Sequence, residues 1–244
     1  MNPKDPRLCV ADDATFWPWS AWPDFASRPD REATVVVVPL AGLADWGLGH
    51  ALDAEETVLM HVLREASLRR AADVSLLVVP VLRFVPGPGQ ECAFAVDPDV
   101  ASGLIEEVVG SIASAGFRRV VLFNSSPWNE ELCRAVGRDL RIARGVQMFC
   151  VNLSGLGLDF HPERGGDRAS LKAALATLAG GAAAAASSAA PAPAAAQPNG
   201  AEVLDAAAAR LASLLGEIRS RPPLAHLGAL PPVAAPSAAP SAAS

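Results

Sequence analysis

Four consecutive valines set the tightest limit on how this chain can fold. The block Thr34-Val-Val-Val-Val-Pro39 offers no charged position, and β-branched side chains favour extended backbone. A strand projects alternate residues to opposite faces, so an unbroken apolar run has to be covered on both. A second block, Val74-Ser-Leu-Leu-Val-Val-Pro80, repeats the pattern. Between them, residues 53–72 carry apolar side chains at helical spacing (Val58, Val62, Ala66), with Asp53, Glu55 and Glu56 at the start, where carboxylates suit the helix dipole.

The alternation continues. Residues 97–115 read as a helix that Asp97 caps, Pro98 opens and Gly116 ends, with Val100, Leu104, Ile105, Val108 and Val109 on one face. Residues 118–123 form a third strand, 129–144 a helix, and 146–153 a fourth strand. Strands separated by helices of these lengths require crossover connections, hence an α/β fold with a mostly parallel central sheet flanked by helices. Chemistry in such sheets sits beyond the carboxyl ends of the strands, here in loops 40–56, 81–97, 124–129 and 154–170.

The domain expectation is an irregular Trp/Pro-rich leader over 1–33, an α/β domain over 34–180, and an Ala/Pro/Ser low-complexity insert over 181–200. A final helix of the domain follows over 201–220, and a disordered tail over 221–244. Alanine crowded into the last third inflates the 51% hydrophobic content, so the core is smaller than that figure implies. A net charge of −6 with only short basic pairs, such as Arg118-Arg119, argues against a nucleic-acid partner. No apolar run reaches the ~18–20 residues of a membrane span, and no signal sequence opens the chain, so a cytoplasmic protein is expected. Cys9, Cys92, Cys133 and Cys150 form no CxxC pair and read as small buried apolar side chains.

With these landmarks in order, the chain resembles the creatininase (creatinine amidohydrolase) family from Trp22-Pro23 to about Ser170, and again in the final helix. The family's first loop, shaped like PxGSxEQHGPHLPxxTD, lines up without a gap on residues 39–55. Its helix opened by proline, leading through "GFRR" to "NGHxxN", matches Pro98, Gly116-Phe-Arg-Arg119 and Asn124-Ser-Ser-Pro-Trp-Asn129. A third motif like HAGExETS falls on residues 163–170.

The resemblance implies a creatininase-like layered fold and, in active members, two divalent metals such as Zn or Mn that activate water against a C–N bond. Carried over by position, the ligating Glu becomes Ala44, the first His Trp46, the Asp Glu55, the second His Ser126 and the downstream acid Trp128. In the third motif the His becomes Glu163, and two Glu positions become Gly166 and Arg168. Glu55 is the one acidic position retained, and the expectation is a degenerate metal site with no cofactor.

Alternatives rest on fewer residues. His50, Glu55, His161 and Glu163 are candidates for a rebuilt single-metal site, with Asp45, Asp53 and Glu56 near them in sequence. Ser126 is a weak nucleophile candidate without the flanking glycines of an elbow. Asn124, Ser125 and Ser126 read more simply as caps of the following helix. Trp46, Asn124, Trp128 and Asn129 define a ligand cleft, in which the two indoles either plug the opening or form an aromatic pocket for a planar or cationic ligand. The expected role is a non-catalytic binding or assembly subunit, in a homo- or hetero-oligomer with creatininase-family subunits, beside an active paralogue in a biosynthetic pathway. The alternative is a metal-dependent amide hydrolase.

Overall fold

A computed structural model of the chain describes residues 15–46, 50–87, 92–161, 168–179 and 199–222. The strands are β1 (Val35–Ala41), β2 (Leu43–Ala44), β3 (Leu76–Val78), β4 (Leu82–Arg83), β5 (Val85–Pro86), β6 (Cys92–Ala93), β7 (Ala95–Val96), β8 (Arg119–Asn124) and β9 (Gln147–Asn152). The helices are α1 (Trp22–Ala26), α2 (Ala54–Arg69), α3 (Pro98–Ser114), α4 (Glu130–Arg144), α5 (Arg168–Leu178) and α6 (Gly200–Ser220).

The main sheet runs β3-β1-β8-β9, with β4 continuing beside β1, and every pairing in it is parallel. The valine block lies at its centre and is buried along its whole length. Alternate residues serve two cores: Val35 and Val37 pack with α2, α5 and α6, while Val36, Val38 and Leu40 pack with α3 and α4. This is the mixed α/β layered fold that the apolar runs require.

The first strand runs past Pro39 to Ala41, two residues further than expected. Odd-numbered residues of β1 turn their peptide groups towards β3 and β4: Val35 N–H donates to Ser75 O, Val37 O accepts from Val79 N–H and Ala41 O from Phe84 N–H. The missing donor of Pro39 therefore falls between the end of β3 and the start of β4, where no ladder bond is lost.

Other boundaries moved for comparable reasons. Leu171, Ala174 and Leu175 give α5 a buried face, so helix begins inside the segment 154–170 expected as a loop. The two-residue pairs β2–β6 and β5–β7 were not expected, being too short to show a period. Asp97 does cap α3, accepting from Asp99 N–H at 2.8 Å, and Gly116 ends the helix at φ 93°.

In the leader, Trp17 stacks on Phe25 of α1 at 4.9 Å and lies 5.2 Å from Phe117. α6 packs against α2 through Leu204, Leu211 and Leu215. The cysteine expectation holds for Cys133 alone: Cys92 is half-buried and Cys150 is exposed on β9, while Cys9 lies outside the described residues. The insert at 181–198 and the tail from 223 also lie outside them. Among the described residues no helix is long and apolar enough to cross a membrane.

Candidate functional site

The carboxyl ends of β1 and β8 meet beside the first turn of α2. Leu40 is in register with Asn124, so the turn after β8 lies next to Ala41 and Gly42. Ser125 closes this junction, its N–H donating to Leu40 O at 3.0 Å. Asn124 braces the turn from within: its amide donates to Ser126 O (2.8 Å) and Asn152 Oδ1 (3.0 Å), and its Oδ1 accepts from Ser126 N–H (3.1 Å). This corrects the capping expectation. The turn is separated from α4 by a 3-10 segment, Pro127–Asn129, and neither Ser126 nor Asn129 makes a side-chain cap bond. Asn129 instead donates to Phe84 O at 3.0 Å.

Glu55 points into this junction with no exposed surface. Its Oε2 accepts from Gly42 N–H at 2.9 Å. Burial pushes its carboxyl from 4.5 up to about 7, against the opposing pull of Gly42 N–H, the Ser126 hydroxyl and the Trp46 indole N–H. The last two lie close enough to favour charge but do not close good hydrogen bonds. Glu55 Oε1, Ser126 Oγ, Trp46 Nε1 and Asn129 Oδ1 are all buried without a protein partner. Glu55 is thus no solvated helix-start carboxylate. Its neighbour Glu56 takes the surface role, accepting from Arg83 Nε and Nη2 at 2.6 Å each.

Gly42 makes room for this arrangement. A Cβ there would lie 2.8 Å from Ser126 Oγ, 2.9 Å from Glu55 Oε2 and 2.9 Å from Val85 Cγ1. Gly42→Ala is expected to destabilise the fold by about 1–3 kcal/mol, the usual cost of overpacking, read as a lower urea midpoint. A midpoint equal to wild type would mean that the junction is looser than these distances imply.

Trp46 follows β2 and is 4% exposed. Its ring lies 5.5 Å from that of half-buried Trp128, at 37°, and 6.1 Å from Phe160 in an edge-on contact. The structure thus brings together Trp46, Glu55, Asn124, Ser126, Trp128 and Asn129 from three segments of the chain.

No imidazole bonds Ser126 Oγ. His50 is half-buried, as is His161, whose backbone N–H donates to Asp159 Oδ1 at 3.0 Å. Glu163 lies outside the described residues, as does Gly166. Among the described residues no three His, Cys, Asp or Glu side chains converge to hold a metal ion. The position missed from sequence is Gly42, whose signal is a residue without a side chain directly after a buried strand.

The family model for creatininase, described as creatinine amidohydrolase, matches residues 19–187. The chain belongs to the creatininase family. Among solved structures, a Bacteroides fragilis protein named after creatinine amidohydrolase superposes with a TM-score of 0.64 at 15% identity, covering 86% of this chain and 98% of that one. A point variant of creatininase described as Zn-Zn type gives 0.62 at 16% identity, over 86% and 100%. A manganese form of creatininase gives 0.62 at 16%, over 85% and 100%. At these identities the structural likeness speaks for the creatininase fold. No curated protein sequence matches the chain significantly.

Proposed function

We propose that this creatininase-family chain carries a degenerate metal site and serves as a non-catalytic binding or assembly subunit, alongside other subunits of the family. The observation that carries the reading is Trp46. At the position where the family resemblance sets a ligating histidine, an indole is packed between Trp128 and Phe160. Zinc or manganese needs three or four N, O or S donors converging at about 2.0–2.3 Å. The donors that the described residues offer are poorly matched to this. Glu55 supplies the one carboxylate, with one oxygen already accepting from Gly42. The buried Trp46 N–H beside it is a donor, which a cation repels. A neutral, protonated Glu55 suits the same pocket better than a charged ligand does.

The indole pair still offers a flat apolar wall, so binding of a planar or cationic molecule there is compatible with loss of chemistry. The other reading, an amide hydrolase with a metal rebuilt on His50, Glu55, His161 and Glu163, makes the opposite prediction for metal content. Protein dialysed against divalent ions is expected to hold fewer than about 0.1 metal ions per chain by mass spectrometry, since tight binding needs several converging ligands. A ratio of about one or two that drops on Glu55→Ala would overturn the proposal and favour the hydrolase.

A further inference from the structure

We propose that Cys150 and Cys133 form a reversible dithiol–disulfide pair, in which Cys150 meets a peroxide oxidant and Cys133 resolves it. Cys133 belongs to the core beneath α3 and α4, whereas Trp46 belongs to the core on the other face of the sheet. The pair therefore holds whether or not the Trp46 pocket is catalytic.

The fold brings the two residues to one contact between a strand and a helix. Cys150 stands two residues beyond buried Met148 on β9, so its side chain takes the same face, towards α4. Cys133 lies near the start of α4 with no exposed surface. Cys150 Sγ donates to Cys133 O at 3.0 Å. Adding the two backbone bonds between that oxygen and the α-carbon places the Cys150 sulfur no more than about 5.8 Å from Cys133 Cα. Rotation of the two side chains is then enough to bring sulfur to sulfur. Gly137, one turn further along α4, leaves the room: a Cβ there would lie 2.9 Å from Cys150 Sγ. A glycine inside a helix weakens it, and what this one provides is the close approach of the strand's thiol.

Access and charge divide the roles. Cys150 is exposed and lines a groove of about 510 Å³ together with Arg134 and Arg141, an opening ample for a peroxide. Burial pushes both thiols up from their ordinary pKa. At Cys150 the guanidinium groups of Arg141 and Arg134 oppose it. At Cys133 a Cys150 thiolate and the Glu130 carboxylate add to it. Cys150 is thus the thiol that ionises first and attacks. Its sulfur takes one oxygen of hydrogen peroxide, the O–O bond breaks, and the thiol proton leaves with the other oxygen as water. The Cys133 sulfur then displaces the hydroxyl of the Cys150 sulfenic acid, forming the S–S bond, and the Cys133 proton leaves with that hydroxyl as a second water. Two electrons pass from the thiols to the peroxide, and a thiol reductant reverses the bond by exchange. Cys92 packs against the opposite core and takes no part.

Peptide mapping by mass spectrometry tests this on the full chain, after reduction, exposure to hydrogen peroxide and alkylation of the remaining thiols. The expected product is a single chain lighter by two hydrogens, with two of its 4 cysteines shielded from alkylation. It should yield a linked Cys133–Cys150 peptide that dithiothreitol cleaves. Cys133→Ala should stop at the sulfenic acid, which dimedone traps on Cys150. Should that variant fail to fold, Cys150→Ser at its exposed position gives a second reading, keeping Cys133 reduced at a peroxide concentration that links wild type. The proposal is overturned by a wild-type chain whose Cys150 carries dimedone or a sulfinic acid with no link. A link from Cys150 to Cys9, Cys92 or a second chain overturns it too, as does oxidation of Cys133 in Cys150→Ser. So does a wild type whose thiols all survive peroxide sufficient to oxidise glutathione.

Discussion

Glu55→Gln is expected to stabilise the protein above pH 7 and to leave it little changed near pH 4.5. The unfolded carboxyl titrates near 4.5 and the buried one at about 7. Below the lower value both states are protonated and Glu55 costs nothing. Between the two values the unfolded chain releases its proton while the native state keeps it, so stability falls as pH rises. Above about 7 both states are charged, and the full cost of holding a carboxylate with no solvent exposure is present. The linkage relation converts the separation into roughly 3 kcal/mol. Glutamine cannot ionise, and its carbonyl keeps the acceptor that Gly42 N–H needs. The measurement is urea unfolding of wild type and variant at about pH 5 and about pH 9, where the difference between the two proteins isolates this one group. A variant that is less stable than wild type at the higher pH would mean that the carboxylate form is held by a partner, and would count against the proposed loss of the metal site.

Glu55 also marks where the sequence stops being legible. A carboxylate in the first turn of a helix reads as a solvated partner of the dipole, and Glu56 behaves that way while its neighbour turns inward. Helical phase places them about 100° apart, but only the sheet tells which one faces β1. Gly42 was the available clue, because a site without a Cβ beside a buried strand invites a close approach. Asn124 and Ser126 were open to a similar error. Short polar side chains before a helix suggest capping, yet here Asn124 braces the turn against Asn152 and the Ser126 backbone, and the bonds to Leu40 come from Ser125. Cys150 looked like a core residue by type, and its exposure follows from β9 being the sheet edge, a property of strand order that local sequence does not encode.

The central elements were readable for the opposite reason. Val35 to Val38 cannot be satisfied unless both faces are covered, and the helical spacing in α2 and α3 supplies the covers. Order and spacing of the Gly116-Phe-Arg-Arg119 and Asn124–Asn129 landmarks pointed to the family whose model matches the chain. The pairs β2–β6 and β5–β7 could not be read, since two residues carry no period and their pairing depends on where neighbouring loops settle.

Trp46→Ala is expected to carry the largest cost of any substitution at the site, about 3–5 kcal/mol, the range for removing a large aromatic from a packed core. Trp46 is 4% exposed and lies against two further rings, Trp128 and Phe160. Its indole N–H lies beside Glu55 without closing a good hydrogen bond, so truncation sacrifices mainly packing. At roughly 2–4 °C per kcal/mol for a chain of this size, the melting temperature should fall by about 10 °C. The space opened is lined mainly by aromatic carbon, and free indole should refill it and recover part of the loss, as apolar cavities accept apolar guests. A double-mutant cycle with Trp128→Ala should show a coupling of about 0.5–1.5 kcal/mol for the ring pair. These outcomes separate the two roles open to the indoles. A large loss rescued by indole describes a plug that holds the surrounding loops together. A loss below about 1 kcal/mol would describe a ring free to move aside, and the cleft behind it would then be open to the chemistry that its family performs.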